Sequence, residues 1–293
     1  MSIIEKAAGK LDRKEKDVTS APQRIIERAA GKIEKEGIAN RIDQAHVHGT
    51  ATKSNPTMLD LTRLRQLGGV TPNEEKTQIA EEFRMIKRPL IKNAFNQGAG
   101  HIKHGNLIMI TSALAGEGKS FCAVNLAMSI AMEMDHTVLL VDADVARPSI
   151  PKFLGLQANK GLLDILLDDK LELSDVMMRT DVEKLSILTA GNKSKHATEL
   201  LASQGMSELL AEVAQRYSDR IVIFDSPPLL QTSESHVLAA QMGQIVLVVE
   251  AETTPQKAVM EALRQIESCD VINLVFNKAR SLPGVGYYGG YYA

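Results

Sequence analysis

The sequence lacks tryptophan, has two cysteines, Cys122 and Cys269, and is only 4% aromatic. Two cysteines support neither a disulfide framework nor a thiolate metal site, and they suit a reducing compartment, so the chain reads as cytoplasmic. No apolar run approaches the length of a membrane span; pure stretches such as IVLVV (245–249) are strand-sized. The start, MSIIEKAAGKLDRKE, is charged throughout and has no apolar core of a secretory signal. With 34 Lys+Arg against 36 Asp+Glu, the formal charge of −2 excludes a whole-chain polycation, and nucleic acid is not an expected partner. What remains, in 293 residues that are 44% hydrophobic and 24% charged, is ordinary globular composition with room for a full core.

Tyrosine is scarce and unevenly placed. Of five tyrosines, four fall in the last seven residues: Tyr287, Tyr288, Tyr291 and Tyr292 in GVGYYGGYYA (284–293).

Residues 1–78 form a distinct stretch with no aromatic side chain and 14 Lys+Arg against 11 Asp+Glu. IIEKAAGKLDR (3–13) recurs as IIERAAGKIEK (25–35), with seven of eleven positions identical. Both copies place apolar residues at helical spacing, but on a narrow stripe with a mid-helix glycine, so neither is stable alone. HVHGTATKSNPT (46–57) reads as a linker and MLDLTRLRQLG (58–68) as a short helix ended by glycine. A further helix is expected over 74–88, stopped before Pro89. The expected domains are thus 1–78, a helical or partly disordered extension; 79–278, the catalytic domain; and 279–293, a flexible tyrosine-bearing tail.

From about residue 105, apolar strands alternate with helices. Strands are expected at NLIMIT (106–111), TVLLVD (137–142), LSILTA (185–190), RIVIFD (220–225), QIVLVVE (244–250) and VINLVFN (271–277). Helices are expected over 120–134 and 198–217. Continuous apolar strands joined by helices predict a doubly wound, mainly parallel α/β sheet whose ligand site lies at the strands' carboxyl ends.

Three motifs fall at such ends. TSALAGEGKS (111–120) follows a strand and opens a helix, the setting of a phosphate-binding loop. Ala115, Gly116, Glu117, Gly118, Lys119, Ser120 and Phe121 would cradle the phosphates, Lys119 reaching the β- and γ-phosphates and Ser120 holding Mg²⁺. The pattern GxxxxGK[ST] asks for glycine where Ala113 stands. VLLVDADVARP (138–148) puts Asp142 and Asp144 at a strand end, and IVIFDSPP (221–228) does the same for Asp225. Together they read as an ATP- and Mg²⁺-binding P-loop protein. Lys119, Asp142, Asp144 and Asp225 are the expected catalytic residues, and Ser120, Asp142 and Asp225 the expected metal shell.

These motifs, in this order, resemble the deviant-Walker P-loop NTPases, the MinD/ParA-like group that includes the bacterial tyrosine kinases. Partition ATPases of that group carry a second lysine where this chain has Leu114. The glycine-spaced tyrosines, and ELLAS (199–203) upstream of IVIFDSPP, resemble the tyrosine autokinases. The resemblance covers roughly 79–293. It implies that Tyr287, Tyr288, Tyr291 and Tyr292 are autophosphorylated, that Asn277 reads adenine, and that Asp142 or Asp144 deprotonates the tyrosine. It implies also that Glu81, Arg84 and Lys87 join subunits into a ring. The family usually places an arginine where Ala146 stands, with Arg147 next here. The N-terminal stretch is similar to the exosortase/PEP-CTERM (XrtA)-associated version of the kinase. The implied setting is exopolysaccharide synthesis and export, with a membrane-embedded chain-length co-polymerase as activator, a phosphotyrosine phosphatase opposing, and peripheral attachment to the inner membrane through that partner. A positioning ATPase and a nucleotide-binding scaffold without kinase activity are the competing readings.

Overall fold

The computed structural model describes residues 56–72, 77–96, 98, 100–157, 159–217 and 219–280. The repeat at 3–35, most of the linker and the tyrosine tail lie outside the described residues.

The chain divides between Lys53 and Ser54. In order, the elements are α1 (Leu61–Gln66), α2 (Gln78–Phe95), β1 (Leu107–Ser112), α3 (Lys119–Ala131), β2 (Thr137–Asp142) and α4 (Ile150–Leu154). There follow α5 (Leu162–Leu167), α6 (Leu173–Val176), β3 (Met178–Arg179), β4 (Leu185–Leu188), α7 (Ala197–Leu201) and α8 (Gln204–Gln215). The last are β5 (Arg220–Asp225), α9 (Glu234–Ala239), β6 (Gln244–Glu250), α10 (Gln256–Gln265) and β7 (Ile272–Asn277).

The strands form one sheet in the order β3-β4-β2-β5-β1-β6-β7, parallel everywhere except at the two-residue strand β3. Alternate residues of each strand serve opposite faces, as the two-residue period requires. Leu107, Met109, Leu139, Val141, Val222 and Phe224 pack under α5 to α10. Ile108, Ile110, Val138, Leu140, Ile221 and Ile223 pack under α1 to α4. Helix α3 is covered by α1 and α2 as well as by the sheet, which is why nearly all its residues are buried.

Three sequence expectations need correction. The domain boundary falls before 78, because Leu59, Leu64 and Val70 belong to the sheet's core and Val70 N–H donates to Asn125 Oδ1 at 2.5 Å. Helix α2 does not stop before Pro89 but runs to Phe95. Pro89 is on the solvent side, and the carbonyl it leaves without a helical donor belongs to Met85, itself exposed, so the missing bond falls on the helix face turned to water. The helix expected over 198–217 is two helices, α7 and α8, because Ser203 Oγ accepts from Met206 N–H and caps α8.

Candidate functional site

The parallel register carries Asp142 and Asp225 to the same level at the carboxyl ends of adjacent strands. β1 lies on the other side of β5 and delivers the phosphate loop to the same end. Gly116 and Gly118 take positive φ values of 91° and 95°, the left-handed backbone that glycine adopts without a clash. Helix α3 then begins at Lys119, aiming its first unpaired N–H groups at the loop's concavity.

Lys119, Ser120, Asp142, Asp144 and Asp225 come together there. Lys119 Nζ sits 3.0 Å from Asp144 Oδ2. Asp144 Oδ1 accepts from Arg147 N–H at 3.0 Å. Asp142 Oδ2 accepts the N–H groups of Ser149 and Ile150, at 3.0 and 3.1 Å, where α4 begins. Ser149 Oγ donates to Asp225 Oδ2 at 3.3 Å, and the Ser120 hydroxyl also hydrogen-bonds Asp225. Burial first, then the negative charge of Asp225, pushes Asp142 up to about 7. Burial pushes Asp225 up to about 6 against the pull of Lys119.

Asp142 Oδ1 and Asp225 Oδ1 are buried and meet no hydrogen-bond partner among the described residues. Two orphan carboxylate oxygens beside a serine hydroxyl form a hard-oxygen donor set that fits a small divalent cation such as Mg²⁺. Among the described residues, no three His, Cys, Asp or Glu side chains group as a self-sufficient metal site. Such a cation would draw the rest of its shell from nucleotide oxygens and water.

The ParA family, described as NUBPL iron-transfer P-loop NTPase, matches residues 103–276, more than half of the chain. Tyrosine-protein kinase YwqD of Bacillus subtilis is 30% identical over 75% of this chain and 90% of its own length. The chain belongs to the bacterial tyrosine-kinase family. Among solved structures, the kinase domain of Escherichia coli tyrosine kinase ETK has a TM-score of 0.59 at 26% identity, over 74% of this chain and 83% of that one. The chimerical protein CapA2B2 gives 0.59 at 26% identity, over 75% and 92%. Iron handling finds no support in the thiols of this kinase-family chain: Cys122 is buried and pushed up to about 12, and Cys269 is buried too. Among the described residues, no helix is long and apolar enough to cross a membrane.

Of the other anticipated residues, Ala115 is exposed, and Phe121, in the first turn of α3, is half-buried and packs against the core. Asn277 is at the loop, but its Nδ2 donates to Glu117 O at 2.8 Å. Lys87 departs from its expected role. It is 4% exposed, donates to Ser129 O at 2.5 Å and pairs with Glu133 at 2.7 Å, so it fastens α2 to α3 and cannot present its charge to another subunit. Glu81 and Arg84 form an ion pair with each other on the outer side of α2. Tyr287, Tyr288, Tyr291 and Tyr292 lie outside the described residues.

Sequence reasoning overlooked Ser149, Thr254 and Lys278. A signal existed for Ser149: Ser-Ile-Pro is the start of a helix with proline in its first turn, which α4 has. Nothing local marks Thr254 or Lys278.

Proposed function

We propose that this chain is an ATP-dependent tyrosine autokinase that phosphorylates Tyr287, Tyr288, Tyr291 and Tyr292 of a neighbouring copy. The observation that carries the reading is the Lys119–Asp144 ion pair beside two buried carboxylates with unpartnered oxygens. A triphosphate entering the loop competes with Asp144 for Lys119. Lys119 then balances charge on the γ-phosphoryl group, and Asp144 is released. Mg²⁺, held by Ser120, Asp142 and Asp225, would supply further charge neutralisation when bound.

The tyrosine hydroxyl, with an ordinary pKa of about 10, needs a base. Asp142 or Asp144 takes its proton as the phenolic oxygen bonds to the γ-phosphorus. The bond from that phosphorus to the β–γ bridging oxygen breaks, and ADP leaves. The 13 residues from Ala279 to Tyr292 reach at most about 45 Å, a contour long enough for a neighbour's site. The contact between copies uses Glu81 and Arg84 of α2, without Lys87. Four phosphates add about −6 to −8 charge next to acidic sites and loosen the assembly. In the wider setting, the kinase acts in exopolysaccharide synthesis beside a membrane-embedded co-polymerase, with the N-terminal repeat as the docking segment and a phosphatase reversing the modification.

The test is incubation with ATP followed by mass mapping of phosphate. Label on the last seven residues, lost in Lys119→Met, is expected. ATP hydrolysis with no protein label would replace the kinase with a positioning ATPase, and nucleotide binding with neither would leave a scaffold.

A further inference from the structure

The phosphate loop is gripped from outside by the ends of β6 and β7. Lys278 Nζ donates to Gly116 O at 2.8 Å and pairs with Glu250 Oε2 at 3.0 Å. Asn277 Nδ2 donates to the next carbonyl, Glu117 O, at 2.8 Å. The Glu117 carboxylate, on a residue 2% exposed, accepts from Leu114 N–H at 2.5 Å and from the Thr254 hydroxyl. Thr254 Oγ1 in turn accepts from Glu250 N–H at 3.2 Å. The contacts close a ring: Leu114, Glu117, Thr254, Glu250, Lys278 and Gly116.

That ring has a geometric consequence. In a trans peptide, C=O and the following N–H point in opposite directions, and the described residues contain no cis bond. Holding Gly116 C=O and Glu117 C=O outward therefore turns the N–H groups of Glu117 and Gly118 inward. Those N–H groups are what a phosphate loop presents to its anion. Neither meets an acceptor among the described residues. Lys278 reaches the loop from a left-handed backbone, φ 58°, a conformation uncommon for a lysine and one held where neighbouring contacts fix it. Close approach also dictates the glycine beside it: a Cβ on Gly118 would sit 2.0 Å from Asn277 Nδ2.

We infer that Lys278 and Asn277 are positioning residues that orient the Glu117 and Gly118 peptides of the phosphate loop toward the polyphosphate, with Thr254 and Glu250 aligning them. This deepens the kinase reading and rests on it for the identity of the nucleotide. It assigns Asn277 to the phosphates, where the family resemblance assigns it to adenine.

The two roles separate by ligand. Titration calorimetry with magnesium present would compare ATP, GTP and inorganic tripolyphosphate on the full chain and on Lys278→Ala, Lys278→Arg and Asn277→Ala. Lys278 is an exposed side chain, so its variants should fold, and thermal melts of the free proteins check this. The expected result is a loss of about tenfold in affinity, shared equally by all three ligands, for Lys278→Ala and Asn277→Ala. Lys278→Arg should recover most of it. A loss confined to ATP, with GTP and tripolyphosphate unchanged, would overturn the inference in favour of base reading, and so would unchanged affinity for all three. Binding is read without phosphoryl transfer, so a missing tyrosine label would count against the kinase reading alone.

Discussion

Asp142 and Asp225 are register partners on adjacent parallel strands, and each has one buried carboxylate oxygen with no partner among the described residues. Their nearness raises the affinity of Asp142 for its proton on top of what burial does. Two carboxylates placed this way strain the ligand-free protein and suit it to a cation.

Stability of the ligand-free protein should therefore fall as pH rises. Asp142 is held up to about 7 and Asp225 to about 6, against an ordinary value of 3.8. Between the ordinary and raised values the folded state keeps protons that the unfolded chain has lost, so unfolding becomes easier with increasing pH and levels off above about 7. Asp142→Asn keeps an acceptor for Ser149 and Ile150 and removes the charge. It should raise the melting temperature at pH 7.5 and flatten the decline between pH 5 and 7.5. An unchanged pH profile would show that Asp142 is not the source.

Lys119→Met should lower the rate of phosphoryl transfer by about 10² to 10³, the usual effect of removing one donor aimed at developing charge. The fold should survive, since Lys119 lies at the open end of the sheet. Single-turnover label transfer is the measurement.

Transfer between copies is expected of the tail. A Lys119→Met protein with its tyrosines intact should be labelled when mixed with a protein carrying all four Tyr→Phe changes and an intact site. Neither should be labelled alone. Failure of the mixture, with wild type labelled, would confine the reaction to one chain.

Lys87→Met should destabilise by about 2 kcal/mol, because Glu133 and the Ser129 carbonyl lose a buried donor. Denaturant unfolding would measure it. Subunit assembly at a temperature well below melting should be untouched, whereas reversing Glu81 to lysine on the exposed side of α2 should weaken it.

Much of this site was legible because its parts are local. A strand, a glycine-bearing turn and a lysine-led helix are contiguous from 107 to 131, so the phosphate loop declares itself in sequence. Pro89 and Ser203 misled because their effects depend on surroundings: one lies on a hydrated helix face, the other caps a new helix. Lys87 misled more deeply. Its spacing with Glu81 and Arg84 is the same whether it points at solvent or at α3, and only packing makes the difference.

The alternation of strands and helices, the anion-binding loop and the three aspartates at strand ends are written in the order of residues, because backbone periodicity and turn chemistry are short-range. It took folding in three dimensions to bring Asp142 and Asp225 to one level, to rest Lys119 on Asp144, and to set residues more than 130 positions downstream against the phosphate loop. Parallel strand order is set by long-range pairing and the burial of two sheet faces, which no local pattern encodes.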